Sequence, residues 1–152
     1  MKILLLILSF SLFGQNKTCH EQIVFDFYKD SILKLEKHDG KVLILKKLKE
    51  NNYSLWSKNA LSELNFKLND TAASIHNCGI NEIKNIDSNT FDILKKWKKN
   101  KSFVYVSFAT CFYDKNIVTI IDNSKKEKRI YYFLINEFGV ITKWFDEYFI
   151  KP

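Results

Sequence analysis

The stretch Ser102–Asp114, SFVYVSFATCFYD, sets Val104, Val106 and Phe108 on one side against Tyr105, Ser107, Ala109 and Cys111 on the other. Alternation with period two marks a strand, because successive strand side chains point to opposite faces. Three further runs follow closely: NIVTIID (Asn116–Asp122), RIYYFLIN (Arg129–Asn136) and VITKWF (Val140–Phe145). The polar loop 123–128 separates the first two, and NEFG (Asn136–Gly139) makes a tight connection into the last. Runs this close together predict a C-terminal antiparallel β-meander. The final WFDEYFIKP fits a strand or a last helical turn, since Ile141, Trp144, Phe145 and Tyr148 also recur at helical spacing.

Upstream the period changes. Val24, Phe27, Tyr28, Ile32 and Leu35 form one stripe, with Lys29, Asp30 and Lys34 off it. Thr18 and Glu21 have the spacing of a capping box, in which each side chain accepts from the other's backbone N–H. A helix is expected from about 19 to 38, stopped at Gly40; a hairpin turning at Asp39-Gly40 is the rival. KVLILKKLKE (41–50) suits a strand through Val42–Leu45 and a helix through Leu45 and Leu48, so both stay open. Leu64, Phe66 and Leu68 alternate as a short strand. DSNTFDILKKWKK (87–99) reads as a short helix capped by Asp87, Ser88 or Asn89, with Phe91, Leu94 and Trp97 on one face.

Helices early and strands late predict an α+β domain, with an N-terminal helix packed on a twisted antiparallel sheet. Ser107, Ala109 and Cys111 would give that helix a small-residue face to approach.

Lys2 followed by the apolar run Ile3–Phe13 and polar Gln15–Thr18 has the order of a secretory signal peptide. The run is shorter than the ~20 residues that span a bilayer. Residues 1–15 are therefore expected to be removed, leaving one domain over 16–152 with no transmembrane anchor and a charge reduced from +7 to +6. Aromatic content of 15% and hydrophobic content of 46% suffice for a single core.

Of 24 basic residues only Arg129 is arginine. Arginine supplies the fork that clamps phosphate and reads guanine, so nucleic acid is not the expected partner. An exported chain tends to pair its thiols, and Cys19, Cys78 and Cys111 allow one bridge with one cysteine over. Cys78 is the favoured member, because it sits in the loop-like HNCGI. Cys19-His20 with His76-x-Cys78 offers a zinc-type donor set, but at a spacing foreign to known fingers, so no metal and no cofactor are expected.

No nucleophile elbow, HExxH, Walker loop or Rossmann glycine run is present, and no catalytic residue is assigned. The surplus of aromatics points to a binding surface, with Trp56, Tyr105, Tyr131, Trp144 and Tyr148 as candidates. The expected function is a non-catalytic module of inhibitor, immunity or envelope-accessory type, periplasmic or secreted. Its partner would be a protein or ligand in the cell envelope or outside the cell. A Cys/His-dependent enzyme or metal-binding protein is the alternative.

Overall fold

The computed structural model describes residues 19–36, 40–51, 56–65, 74–76, 78–96, 101–112, 115–123 and 127–150. Residues 1–15, expected to form a signal peptide, and Thr18, Phe66, Leu68 and Trp97 lie outside them. Helix α1 (His20–Phe27) continues as a π-helical turn (Tyr28–Leu33). Then come β1 (Val42–Lys49), α2 (Lys58–Glu63), β2 (Ser74–His76), β3 (Phe91–Leu94), β4 (Phe103–Ser107), β5 (Ala109–Phe112), β6 (Lys115–Asn123), β7 (Glu127–Ile135) and β8 (Ile141–Ile150).

All eight strands join one sheet. Strands β5, β6, β7 and β8 run antiparallel in succession, and β4 is antiparallel to β6. The sheet is nevertheless mixed, because β1 lies parallel to both β3 and β4. That corrects the all-antiparallel expectation. Parallel neighbours need a long crossover, which the short-spacing argument could not register. The class is α+β, dominated by the sheet.

Strand β6 is buried along both faces. Val118 and Ile120 share a cluster with Val24, Phe25, Tyr28 and Ile32 of the N-terminal helix. Ile117 and Ile121 share another with Ala60 and Leu61 of α2. A strand covered on both sides reads as a continuous apolar run.

Three sequence readings need correction. Residues 91–94 are a strand, not a helix. Asp87 accepts from Asn89 N–H (3.0 Å) and Thr90 Oγ1 (2.7 Å), a turn whose chemistry is the same as a helix cap's. Leu64 ends α2 instead of opening a strand. The N-terminal helix stops at Leu33, short of 38, and Cys19 is its N-cap with no side-chain cap bond. Residues 41–50 resolve as a strand, β1, and the chain ends as strand β8.

Glu21 has a role that its spacing from Thr18, which lies outside the described residues, does not signal. The run from Phe103 to Phe112 is broken at Phe108, and its register against β6 moves by one residue between Val106↔Ile120 and Thr110↔Ile117. A bulge inverts the faces that follow it. Ala109 therefore joins Val104 and Val106 in the α1 cluster, not Tyr105. The ladder is repaired from both sides: Ser107 Oγ accepts Thr119 N–H at 2.9 Å, and Glu21 Oε1 accepts Ala109 N–H at 2.9 Å.

Cys19 is bonded to Cys78, with Cα atoms 5.3 Å apart, and Cys78 Sγ lies 3.6 Å from Glu21 Oε2. The bridge ties the start of α1 to the segment after β2. Cys111, on β5, is outside it and half-buried.

Two outcomes follow for stability. Glu21→Leu leaves the Ala109 N–H buried without an acceptor and should cost about 1–3 kcal/mol. Glu21→Gln keeps an acceptor and should recover most of that loss in urea titrations. Replacing Cys19 and Cys78 together by serine should cost about 2–4 kcal/mol in the same titration.

Candidate functional site

Tyr105, Ile121 and Ile130 are successive cross-strand partners on β4, β6 and β7. They share the sheet face that α2 covers. Strand positions opposite one another project to the same side, so the register alone puts these three side chains in a row.

The row floors a shallow cleft of about 20 Å³, walled by Trp56 and completed by Glu50, Asn51 and Lys128. Glu50 and Asn51 come from the end of β1, Lys128 from the start of β7. Ile130 and Trp56 are almost wholly buried, and Tyr105 is half-buried. Burial raises the Tyr105 hydroxyl above its ordinary value.

Trp56 is held by the start of α2. Ser57 caps that helix, its Oγ accepting Ala60 N–H at 2.9 Å. The Ser57 hydroxyl also donates to Glu147 Oε1 on β8, and Asn59 Nδ2 donates to the same oxygen at 3.3 Å. At the far end of α2, Lys143 Nζ meets Glu63 Oε2 at 2.5 Å. The Trp56 ring packs edge-on to Tyr132 with centroids 5.7 Å apart.

The five candidate binding residues therefore separate into three groups. Trp56 and Tyr105 meet at the cleft. Trp144 and Tyr148 lie on β8, 42% and 54% exposed. Tyr131 is fully buried and offers no surface. Its hydroxyl donates to Glu36 Oε1 at 3.0 Å, and the Arg129 guanidinium lies 4.9 Å from its ring centre. Arg129, the single arginine, also bonds Glu36 and donates through Nε to Asp146 at 2.7 Å. Those bonds, the one to Asp146 foremost, hold its pKa still higher than usual. Arg129 is thus a structural tie between β7, β8 and the chain just after the N-terminal helix.

Sequence reasoning did not select Ile121, Ile130, Glu50, Asn51 or Lys128. Alternation could have placed the two isoleucines on a common face, but only the β6–β7 register makes them neighbours.

The zinc-type donor set loses both sulfurs, since Cys19 and Cys78 bond each other. Among the described residues no group of three or more His, Cys, Asp and Glu side chains is placed to hold a metal ion. His38 lies outside those residues, as does the side chain of His76. No protein-family model matches the chain, nor does any curated protein or solved structure.

Burial is the main cause that pushes the Tyr28, Tyr131 and Tyr132 hydroxyls well above their ordinary 10.0; nearby carboxylates add to it. A pKa raised on folding contributes stability that is complete below the unfolded value and is lost as pH climbs toward the folded one. Urea midpoints should therefore fall progressively above about pH 10. Tyr131→Phe should flatten that decline relative to the parent chain.

Proposed function

We propose that this chain is an exported, non-catalytic binding module whose contact site is the cleft at Trp56 and Tyr105. The observation that carries the reading is their convergence: two aromatics far apart in sequence line one concavity together with Ile121 and Ile130. Ligand pockets for drug-sized molecules run about 300–1,000 Å³. This cleft encloses about 20 Å³, little more than one water molecule, so it suits a shallow surface contact with a partner protein and not an engulfed ligand. Glu50 and Lys128 would orient that partner by charge, and Asn51 by hydrogen bonding.

Export is supported by the charge-then-apolar N-terminus and by the Cys19–Cys78 bridge, a bond that persists in oxidising compartments. Among the described residues no helix is long and apolar enough to cross a membrane.

The test is site-directed photo-crosslinking in the native envelope fraction. A photoreactive residue at position 128 should capture one discrete partner, and the same residue at position 34, behind the N-terminal helix, should not. Tyr105→Ala, at the half-buried aromatic of the cleft, should weaken that capture by about tenfold, the loss expected when an interface aromatic is truncated. Equal capture from both positions, or turnover of substrates in a broad hydrolase screen, would overturn the reading.

A further inference from the structure

Strand β8 closes one side of the sheet, and among the described residues it pairs only with β7. Its ladder is irregular only near Thr142, so Lys143–Ile150 runs unbroken against β7. Such an edge presents a row of backbone donors and acceptors to solvent. Proteins that must stay single usually guard it with charged side chains, proline, a bulge or a covering element; on β8 the charges Lys143, Asp146 and Glu147 are each bonded within the chain, and the one bulge lies at its start.

The region also carries most of the large apolar side chains exposed among the described residues. Of seven large apolar side chains exposed there, five lie between 138 and 150: Phe138, Val140, Trp144, Tyr148 and Ile150. Contiguous exposed apolar surface marks an interaction site more often than scattered single residues do.

From these features we infer that β8 pairs antiparallel with β8 of a second copy of this chain, joining two sheets into one. A two-fold axis perpendicular to the sheet keeps the faces of both copies aligned, so some residue must sit opposite itself. Charge selects which one. Centring on Lys143, Asp146 or Glu147 puts that charge against its own kind. Centring on Trp144 sets Lys143 and Asp146 against uncharged residues. Centring on Phe145 sets Lys143 opposite Glu147 and Trp144 opposite Asp146, with Ile141 opposite Phe149; the Lys143–Glu147 contact would be shared with the bonds these two make in their own chain to Glu63 and to Ser57 and Asn59. Opposite-charge and apolar cross-strand pairs stabilise an antiparallel pairing, and like charges oppose it. The Phe145 register is the one this strand fits.

The helices leave room for it. Helix α2 packs its apolar side on β6 and β7, and its polar side chains reach Glu147 and Lys143 of β8. Across a joined edge, helices seated over β7 or between β7 and β8 would lie roughly 10–14 Å apart at about 4.8 Å per strand. Helices touch at about 8–10 Å.

Multi-angle light scattering on the full chain tests the pairing across the range where it stays soluble. A dimer is expected. Position 144 then reads the register: Trp144→Lys faces Asp146 of the second copy, and Trp144→Asp creates a like-charge pair. Both variants lose the same indole contacts, so their difference reports the charge. The lysine variant should dimerise about tenfold more tightly than the aspartate variant, from two cross-strand pairs per dimer.

A wild-type chain that stays monomeric would overturn the inference. So would variants that associate equally, as a register centred on Asp146 requires, or in the reverse order. Zero-length carbodiimide crosslinking of mixed isotope-labelled wild-type chains needs no variant. It should join Lys143 of one copy to Glu147 of the other, and a dimer crosslinked only outside β8 would overturn the proposal.

Discussion

A single carboxylate accepts the backbone N–H that the break in the central strand leaves over. Glu21 reaches from the first turn of α1 to Ala109, where the run 103–112 slips its register against β6. Without that acceptor a buried amide would lose its hydrogen-bond partner, a cost comparable to a large part of a small domain's net stability. The same side chain lies beside the Cys19–Cys78 bridge. Helix position, bulge and disulfide are therefore one arrangement. Gln22 extends it by exchanging two hydrogen bonds with the backbone of Lys84, at 3.0 and 2.8 Å.

The bulge also separates two jobs along one strand. Before it, Tyr105 turns toward α2 and the cleft. After it, Ala109 turns toward α1, where a small side chain leaves space for the helix. Ser107, at the transition, is buried but satisfied, receiving both the N–H and the hydroxyl of Thr119. Polar residues at such a point are where a strand changes what its faces do.

Much of this was legible from the sequence and some was not, for definite reasons. The C-terminal strands announce themselves because alternation needs only local information. The turn at Asn136–Gly139 does so too: Asn136 Oδ1 accepts two backbone N–H groups, and Gly139 has φ of 79°. The loop-like surroundings of Cys78 mark it as a bridge member, and it is one. The failures share a cause in ambiguous chemistry. Asp87 with Thr90 looks identical whether a helix or a turn follows. Glu21 three residues after Thr18 looks like a cap, and nothing in its neighbourhood announces the distant Ala109 amide that it accepts. Of the binding candidates, Tyr131 went to the core, because one tyrosine on an aromatic strand resembles another until the layers are assembled. The cleft's floor needed cross-strand register, which no single segment contains.

The mixed sheet has a consequence for the order in which this molecule can form. Strands β5 to β8 contact neighbours adjacent in the chain, so they can assemble as local hairpins. Strand β1 has no such option: its partners are β3 and β4, dozens of residues further on. A ribosome delivers β1 long before either exists. Both cysteines, 59 positions apart, also emerge before β4. The N-terminal half must therefore wait, with its apolar strand unpaired, for the C-terminal half to supply the surface on which it settles. Oxidation between Cys19 and Cys78 can shorten the search but cannot complete the fold.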